Sequence, residues 1–185
     1  MRARQGARCS SGNCRWPRVA EPASAPQGLT EVPLEFTLNG AACRRTVAVE
    51  RTAADLLRDD LGLKGTRIGC SRGVCGACVV LLDGTPVATC SLFAFQMQGA
   101  DVQTIEGLAE DGRLHPIQQA FVDQGAFQCG YCTSGMVLLT KALLERHPHP
   151  DRATIIEWLS SNVCRCTGYA QIVAAVEQAA AEPGP

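Results

Sequence analysis

The sequence predicts an α+β protein in two parts, a small mixed β-sheet followed by a group of helices. Residues 32–105 show the two-residue alternation of β-strands with tight turns between them. Residues 116–181 show the 3.6-residue period of amphipathic helices instead. A third feature is the eleven cysteines in 185 residues, several times the normal usage. We therefore expect two domains and a chemistry that depends on cysteine.

Composition and charge exclude several classes of function. The net charge is −1 and no apolar run reaches the roughly eighteen residues of a membrane span, so we expect neither nucleic-acid binding nor membrane insertion. Residues 1–31 contain much Arg, Ala, Pro and Gly, which predicts a flexible tail with two exposed thiols, Cys9 and Cys14. Because this tail lacks the apolar segment of an export signal, we expect a cytoplasmic location, where clustered cysteines bind metal more often than they form disulfides.

The predicted first domain, residues 32–106, follows the order strand, strand, helix, strand, strand. Asn39-Gly40 and Asp83-Gly84 are the turns of two hairpins, and Cys43 lies in phase with the apolar residues of its strand, which predicts a core position. Thr52 is placed to cap the helix between the hairpins. A last short strand over Asp101–Ile105 completes a small mixed sheet with the helix across one face, an arrangement like a β-grasp.

The predicted second domain, residues 112–181, is a four-helix bundle. Helical periodicity covers residues 116–125, 133–147, 151–160 and 169–181, and short connections favour antiparallel packing. The alternating histidines and prolines of residues 147–150 separate the second helix from the third.

A first set of cysteines lies in the loop after the predicted α-helix and beyond the second hairpin. It comprises Cys70, Cys75, Cys78 and Cys90, a CxxxxCxxC loop with a fourth cysteine further on. This spacing matches the ligands of a plant-type [2Fe-2S] cluster. Gly73 and Gly76 allow the loop to fold back sharply. Four thiolates could also hold structural zinc, although zinc sites usually show two CxxC-like pairs.

A second set comprises two pairs that each precede a predicted helix: Cys129 and Cys132 in QCGYCTSGM, and Cys164 and Cys166 in NVCRCTGY. Thr133 and Thr167 are candidate helix caps. Two antiparallel helices would bring these N-termini together, and the positive ends of their dipoles favour thiolates there. On spacing alone, zinc remains an alternative at this set as well.

Three motifs together, GCSRGVCGACVVLLDG, QCGYCTSGM and NVCRCTGYAQIV, resemble the iron–sulfur subunit of the molybdenum hydroxylases, the xanthine oxidase family. The likeness covers about residues 32–180 and implies two [2Fe-2S] clusters, held in a plant-type ferredoxin-like β-grasp domain and a C-terminal four-helix domain. It also implies a large partner subunit with the molybdopterin cofactor and often a medium subunit with FAD. Ser134 stands where the family commonly has proline.

The resemblance also implies roles for two residues of the second set. Gln128 matches a position whose side chain hydrogen-bonds the pterin, and Cys166 matches the ligand that approaches the pterin ring. On the residues alone, Gln128 is an exposed loop amide. The resemblance places the first cluster towards the flavin, so electrons would reach the second set first.

The resulting hypothesis is an electron-transfer subunit, without a substrate pocket of its own, in a complex that oxidises a small molecule. The substrate remains open, with CO, aldehydes, purines and other heteroaromatics all possible, and so does the final electron acceptor. A freestanding two-cluster ferredoxin is the main alternative, and a structural zinc module is a weaker one.

Overall fold

The structure, a computed structural model, describes residue 28 and residues 30–181. Most of the predicted tail, including Cys9 and Cys14, lies outside these residues. The first strand begins at Glu31, one residue before the predicted start of the first domain. The division into domains at residues 32–106 and 112–181 remains a prediction.

Five strands form one mixed sheet: β1 Glu31–Leu38, β2 Ala41–Ala48, β3 Val79–Leu82, β4 Thr85–Ala88 and β5 Asp101–Gln103. Their order across the sheet is β2-β1-β5-β3-β4, with β1 and β5 parallel and the other neighbours antiparallel. Asn39 and Gly40 have φ values of 50° and 79°, and Asp83 and Gly84 have 49° and 72°. Positive φ at both turn residues matches the twist of a two-residue hairpin, which confirms both predicted turns.

Strand β5 is shorter than predicted, because it ends at Gln103 and not at Ile105. The Thr104 N–H donates to Asn39 Oδ1 at 2.8 Å, and the Asn39 amide donates back to Thr104 Oγ1 at 3.0 Å. These bonds to a side chain replace bonds to a neighbouring strand, so the backbone leaves the sheet at this residue.

One helix crosses the sheet. It begins as α1, Ala53–Asp55, and continues as a wider π-helical turn over Leu56–Asp60. Thr52 caps it as predicted, since its Oγ1 accepts from the Asp55 N–H at 3.1 Å. Leu56 and Leu57 are buried in the apolar core between this helix and the sheet. Cys43 packs at the edge of the same core but is only half-buried.

Four helices follow: α2 Pro116–Asp123, α3 Thr133–Arg146, α4 Arg152–Leu159 and α5 Ala170–Ala181. Helix α5 packs on α2 and α4, and α3 packs on the same two helices from the other side of one core. Within the residues that the structure describes, no helix is long and apolar enough to cross a membrane.

A separate apolar contact joins the two halves of the chain. Val79 and Leu81 on β3 pack against Leu138 and Ala142 on α3, and all four side chains are buried. The sheet and the helices therefore meet along an interface that excludes water, and this interface ends close to the cysteine loops.

Candidate iron–sulfur sites

The first cysteine set lies above α1. Cys70, Cys75 and Cys78 belong to the loop that leads into β3, and Cys90 lies in a short 3-10 turn after β4. Cys78 and Cys90 are buried and pack with Ala54 of α1, whereas Cys70 and Cys75 are half-buried. The fold thus brings the four predicted ligands of this set around one loop, with an apolar floor on one side.

Backbone N–H groups of the loop point at these sulfur atoms. The amides of Arg72 and Val74 each lie 3.4 Å from Cys70 Sγ, and the Gly73 amide lies 3.3 Å from Cys90 Sγ. Gly73 reaches this geometry with a φ of 70°. A side chain there would also crowd Ser91, so glycine serves both the backbone conformation and the close approach.

The amides favour the thiolate form of Cys70. Hydrogen bonds from the backbone N–H groups of Cys75, Arg72 and Val74 lower the pKa of Cys70 to about 6. Burial acts in the opposite direction at Cys90, where it raises the pKa of the thiol. Because iron binds thiolates, the backbone N–H groups directed at Cys70 and Cys90 suit an anionic metal–sulfur group.

The second cysteine set forms where α3 and α5 begin. Cys132 is the residue immediately before α3, and its thiol contacts that of Cys164. The sulfur atoms of Cys129 and Cys166 lie 3.6 Å apart. Residues from two loops, separated by more than thirty positions in sequence, therefore meet as the sequence predicted.

The four cysteines of the second set differ in burial and in the direction in which the pKa of the thiol is shifted. Burial raises the pKa of Cys132 to about 12. Burial also disfavours the Cys164 thiolate, but hydrogen bonds from the side chain and backbone of Thr167 outweigh it and lower the pKa of Cys164. Cys129 and Cys166 are exposed. One side of the set thus lies within the helical half and the other faces solvent.

The predicted cap at Thr133 is wrong. Cys132 occupies the cap position of α3, and the buried Thr133 hydroxyl has no hydrogen-bond partner. The loop places the cysteine, and not the threonine, at the last position before the helix. Thr167, the other predicted cap, does bond to the backbone just before α5, since its hydroxyl accepts from the Tyr169 N–H at 3.1 Å.

Gln128 lies beside the exposed part of the second set. Its Nε2 donates to the carbonyl oxygen of Cys166 at 3.2 Å, and both residues are exposed. The two residues that the family resemblance associates with the pterin are therefore neighbours on one surface.

The two cysteine loops touch each other, which the sequence did not predict. The Val163 N–H donates to the Cys75 carbonyl oxygen at 2.9 Å. The Tyr131 hydroxyl donates to the Ile68 carbonyl at 2.7 Å, and the Ser134 hydroxyl donates to the Gly65 carbonyl at 2.7 Å. Ser134, the departure from the family motif, thus takes part in this junction.

The donor sets fit [2Fe-2S] clusters, each with four thiols, and the first set adds amides directed at sulfur. A [2Fe-2S] cluster spreads its four thiolates over two irons. Fold and sites together define a two-part protein of the [2Fe-2S]-binding class.

Comparison with known proteins places the chain within that class. Residues 36–109 match the 2Fe-2S iron-sulfur cluster binding domain, and residues 104–177 match the [2Fe-2S] binding domain. The small FeS subunit of nicotinate dehydrogenase from Eubacterium barkeri is 45% identical over 151 residues, 82% of this chain and 96% of that protein. The chain belongs to the family of small iron–sulfur subunits of the molybdenum hydroxylases. The two domain matches confirm the prediction of two [2Fe-2S]-binding domains.

Two further relatives show the range of the family. A chain of quinoline 2-oxidoreductase from Pseudomonas putida 86 superposes with a TM-score of 0.80 at 38% identity, covering 82% of this chain and 95% of that one. The aldehyde oxidoreductase of Megalodesulfovibrio gigas is 42% identical over 149 residues, 79% of this chain but 16% of that protein. In that enzyme the matched part is one segment of a much longer polypeptide.

Proposed function

We propose that this chain relays electrons from a molybdopterin centre in a large partner subunit to FAD or another acceptor, within a molybdenum hydroxylase complex that oxidises a small molecule. The observation that supports this most directly is the contact between the two cysteine loops through Val163 and Cys75. Two redox groups held on these loops would be neighbours, and one of them would lie at the protein surface.

In this proposal Cys70, Cys75, Cys78 and Cys90 hold one cluster, and Cys129, Cys132, Cys164 and Cys166 hold the other. Each cluster, when bound, takes up and releases one electron at a time. The chain's own contribution is to hold the thiolates and to offset negative charge. The amides of Arg72, Gly73 and Val74 serve this purpose at the first set, because N–H groups directed at sulfur stabilise the more negative, reduced state.

The exposed side of the second set is the proposed contact with the large subunit. Gln128, Cys129 and Cys166 are exposed there, and Phe127 beside them is 41% exposed. An apolar ring next to polar groups is typical of a protein interface. We propose that Gln128 and Cys166 face the pterin, that the four helices form the bundle which supports them, and that a medium FAD subunit faces the first set.

The complex is proposed to act in the cytoplasm, with its substrate bound by the large subunit. The names of the relatives include nicotinate, quinoline and aldehyde oxidoreductases, which indicates N-heteroaromatic compounds or aldehydes as substrate classes.

Metal analysis and co-purification test the proposal. The full chain, isolated anaerobically with its native partners, should contain acid-labile sulfide and iron for two clusters and give two paramagnetic signals after reduction. A much larger molybdenum-containing subunit should co-purify. Two clusters without such a subunit would favour a freestanding ferredoxin, and stoichiometric zinc without labile sulfide would contradict both.

A further inference from the structure

Asn162 occupies the centre of the junction between the two cysteine loops. It precedes Val163 and is 2% exposed. Its side chain lies against Gly76 of the first cysteine loop and near Gly135 in the first turn of α3. A Cβ atom at Gly76 would overlap the Asn162 amide, and one at Gly135 would overlap the Gly76 carbonyl. Two glycines thus make room for the close approach of these three segments.

The Asn162 side chain makes no hydrogen bond through its Nδ2 atom. That atom is buried and has no partner in the protein, which is unfavourable for a polar group. The backbone of Asn162, in contrast, is well held. Its N–H donates to the Leu159 carbonyl at 3.1 Å, and its carbonyl accepts from the Tyr169 hydroxyl at 2.8 Å. The side chain therefore acts as a spacer on a firmly held backbone.

This spacer sets the position of the next residue. The Val163 N–H donates to the carbonyl of Cys75, a member of the first set, and Val163 is covalently joined to Cys164, a member of the second. One hydrogen bond and the backbone of one residue thus connect the two sets. Electronic coupling between redox groups falls with distance, and it falls faster across gaps than along bonds.

We infer that Asn162 is a positioning residue for electron transfer between the two cysteine sets, because it keeps the Val163 N–H on the Cys75 carbonyl. The inference rests on the proposed function. In the step concerned, one electron leaves the reduced cluster on the second set, which returns to its oxidised state, and enters the oxidised cluster on the first set. No bond forms or breaks, and Asn162 exchanges neither protons nor electrons.

Asn162→Ala in the full complex tests the inference, because it removes the spacer and leaves all eight cysteines in place. The control is Asn39→Gly, which removes another asparagine side chain packed on a glycine, in this case Gly107, together with its two hydrogen bonds to Thr104. Glycine accepts the positive φ of residue 39, so the control adds no strain. Iron and sulfide content is measured first for each protein.

Two readouts follow. Amide hydrogen exchange of the peptide containing Val163 should be severalfold faster in Asn162→Ala than in wild type and unchanged in Asn39→Gly. In the fully reduced protein, the splitting of the paramagnetic signals that arises from interaction between the two clusters should decrease only in Asn162→Ala. A role limited to folding would change cluster content and leave the splitting in intact molecules unaltered.

The outcomes separate this inference from the proposed function. A wild-type protein without two clusters refutes the proposed function. Two intact clusters in Asn162→Ala, with exchange and splitting equal to those of Asn39→Gly, overturn the inference alone. Should Asn162→Ala not fold or not retain both clusters, Asn162→Ser decides, because it shortens the same spacer and keeps a small polar group at the buried position. Unchanged exchange at Val163 in Asn162→Ser, with both clusters intact, also overturns the inference.

Discussion

Removal of one hydroxyl group, in Tyr169→Phe, should destabilise the protein measurably. The Tyr169 hydroxyl accepts from the Cys164 N–H at 2.9 Å and donates to the Asn162 carbonyl at 2.8 Å. It therefore joins the second cysteine set to the junction with the first. Phenylalanine keeps the ring, which packs against the helical core, and removes only these two bonds.

The expected magnitude follows from the two bonds. A hydrogen bond within a protein contributes about 0.5–1.5 kcal/mol net, so the loss of both should cost about 1–3 kcal/mol. For a chain of this size, 1 kcal/mol corresponds to about 2–4 °C in the unfolding temperature, so a decrease of about 2–12 °C is expected. The half-buried position of Tyr169 favours the lower part of this range.

Thermal unfolding of the full chain, followed by far-ultraviolet circular dichroism, measures this effect. The matched control is Tyr131→Phe, at the other tyrosine of the chain, whose exposed hydroxyl makes one bond to the Ile68 carbonyl. Tyr169→Phe should lower the unfolding temperature more than Tyr131→Phe and should alter the paramagnetic signal of the second cluster alone. Equal unfolding temperatures for the two variants would refute the reasoning.

Three other results are expected. Cys75→Ser should remove or alter only the cluster of the first set, and Cys132→Ser only that of the second; paramagnetic resonance follows each separately, and loss of the opposite signal would show that the ligands are assigned wrongly. Deletion of residues 1–29 should leave the visible cluster spectrum unchanged, because both cysteine sets lie downstream, and loss of a cluster would implicate the tail cysteines. Burial lowers the pKa of His115 from its usual 6.5, so the unfolded chain takes up the proton first and stability should fall as the pH drops below about 6.5. His115 caps α2 by accepting from the Ile117 N–H at 3.2 Å, and asparagine can accept the same bond. His115→Asn should therefore lose this part of the pH dependence in denaturant titrations at pH 7.5 and 5.5, whereas an unchanged dependence would contradict the assignment.

The features that the sequence predicted correctly depend on neighbours within the chain. The turns at Asn39-Gly40 and Asp83-Gly84 require residues that tolerate positive φ, which are recognisable without a structure. The four C-terminal helices begin within one residue of their predicted positions, because helical periodicity and capping depend on residues that are close together in sequence. The grouping of eight cysteines into two sets was visible from spacing and family motifs. Two local predictions were wrong. Cys132 and not Thr133 is the cap residue of α3, and β5 ends at Gln103 because the Thr104 N–H bonds to the Asn39 side chain.

The sequence by itself thus determined the order of elements, the two cysteine sets and, through its motifs, the family. Tertiary structure alone decided how the two halves meet. Gly76, Gly135 and Asn162 lie far apart in sequence, and no period or spacing relates them; they become neighbours only when β3 packs on α3. The Val163–Cys75 hydrogen bond has the same origin, because its two groups are ordinary backbone atoms that every residue carries. A sequence pattern identifies side chains that need a partner, whereas the choice of backbone partner depends on the packing of the whole chain.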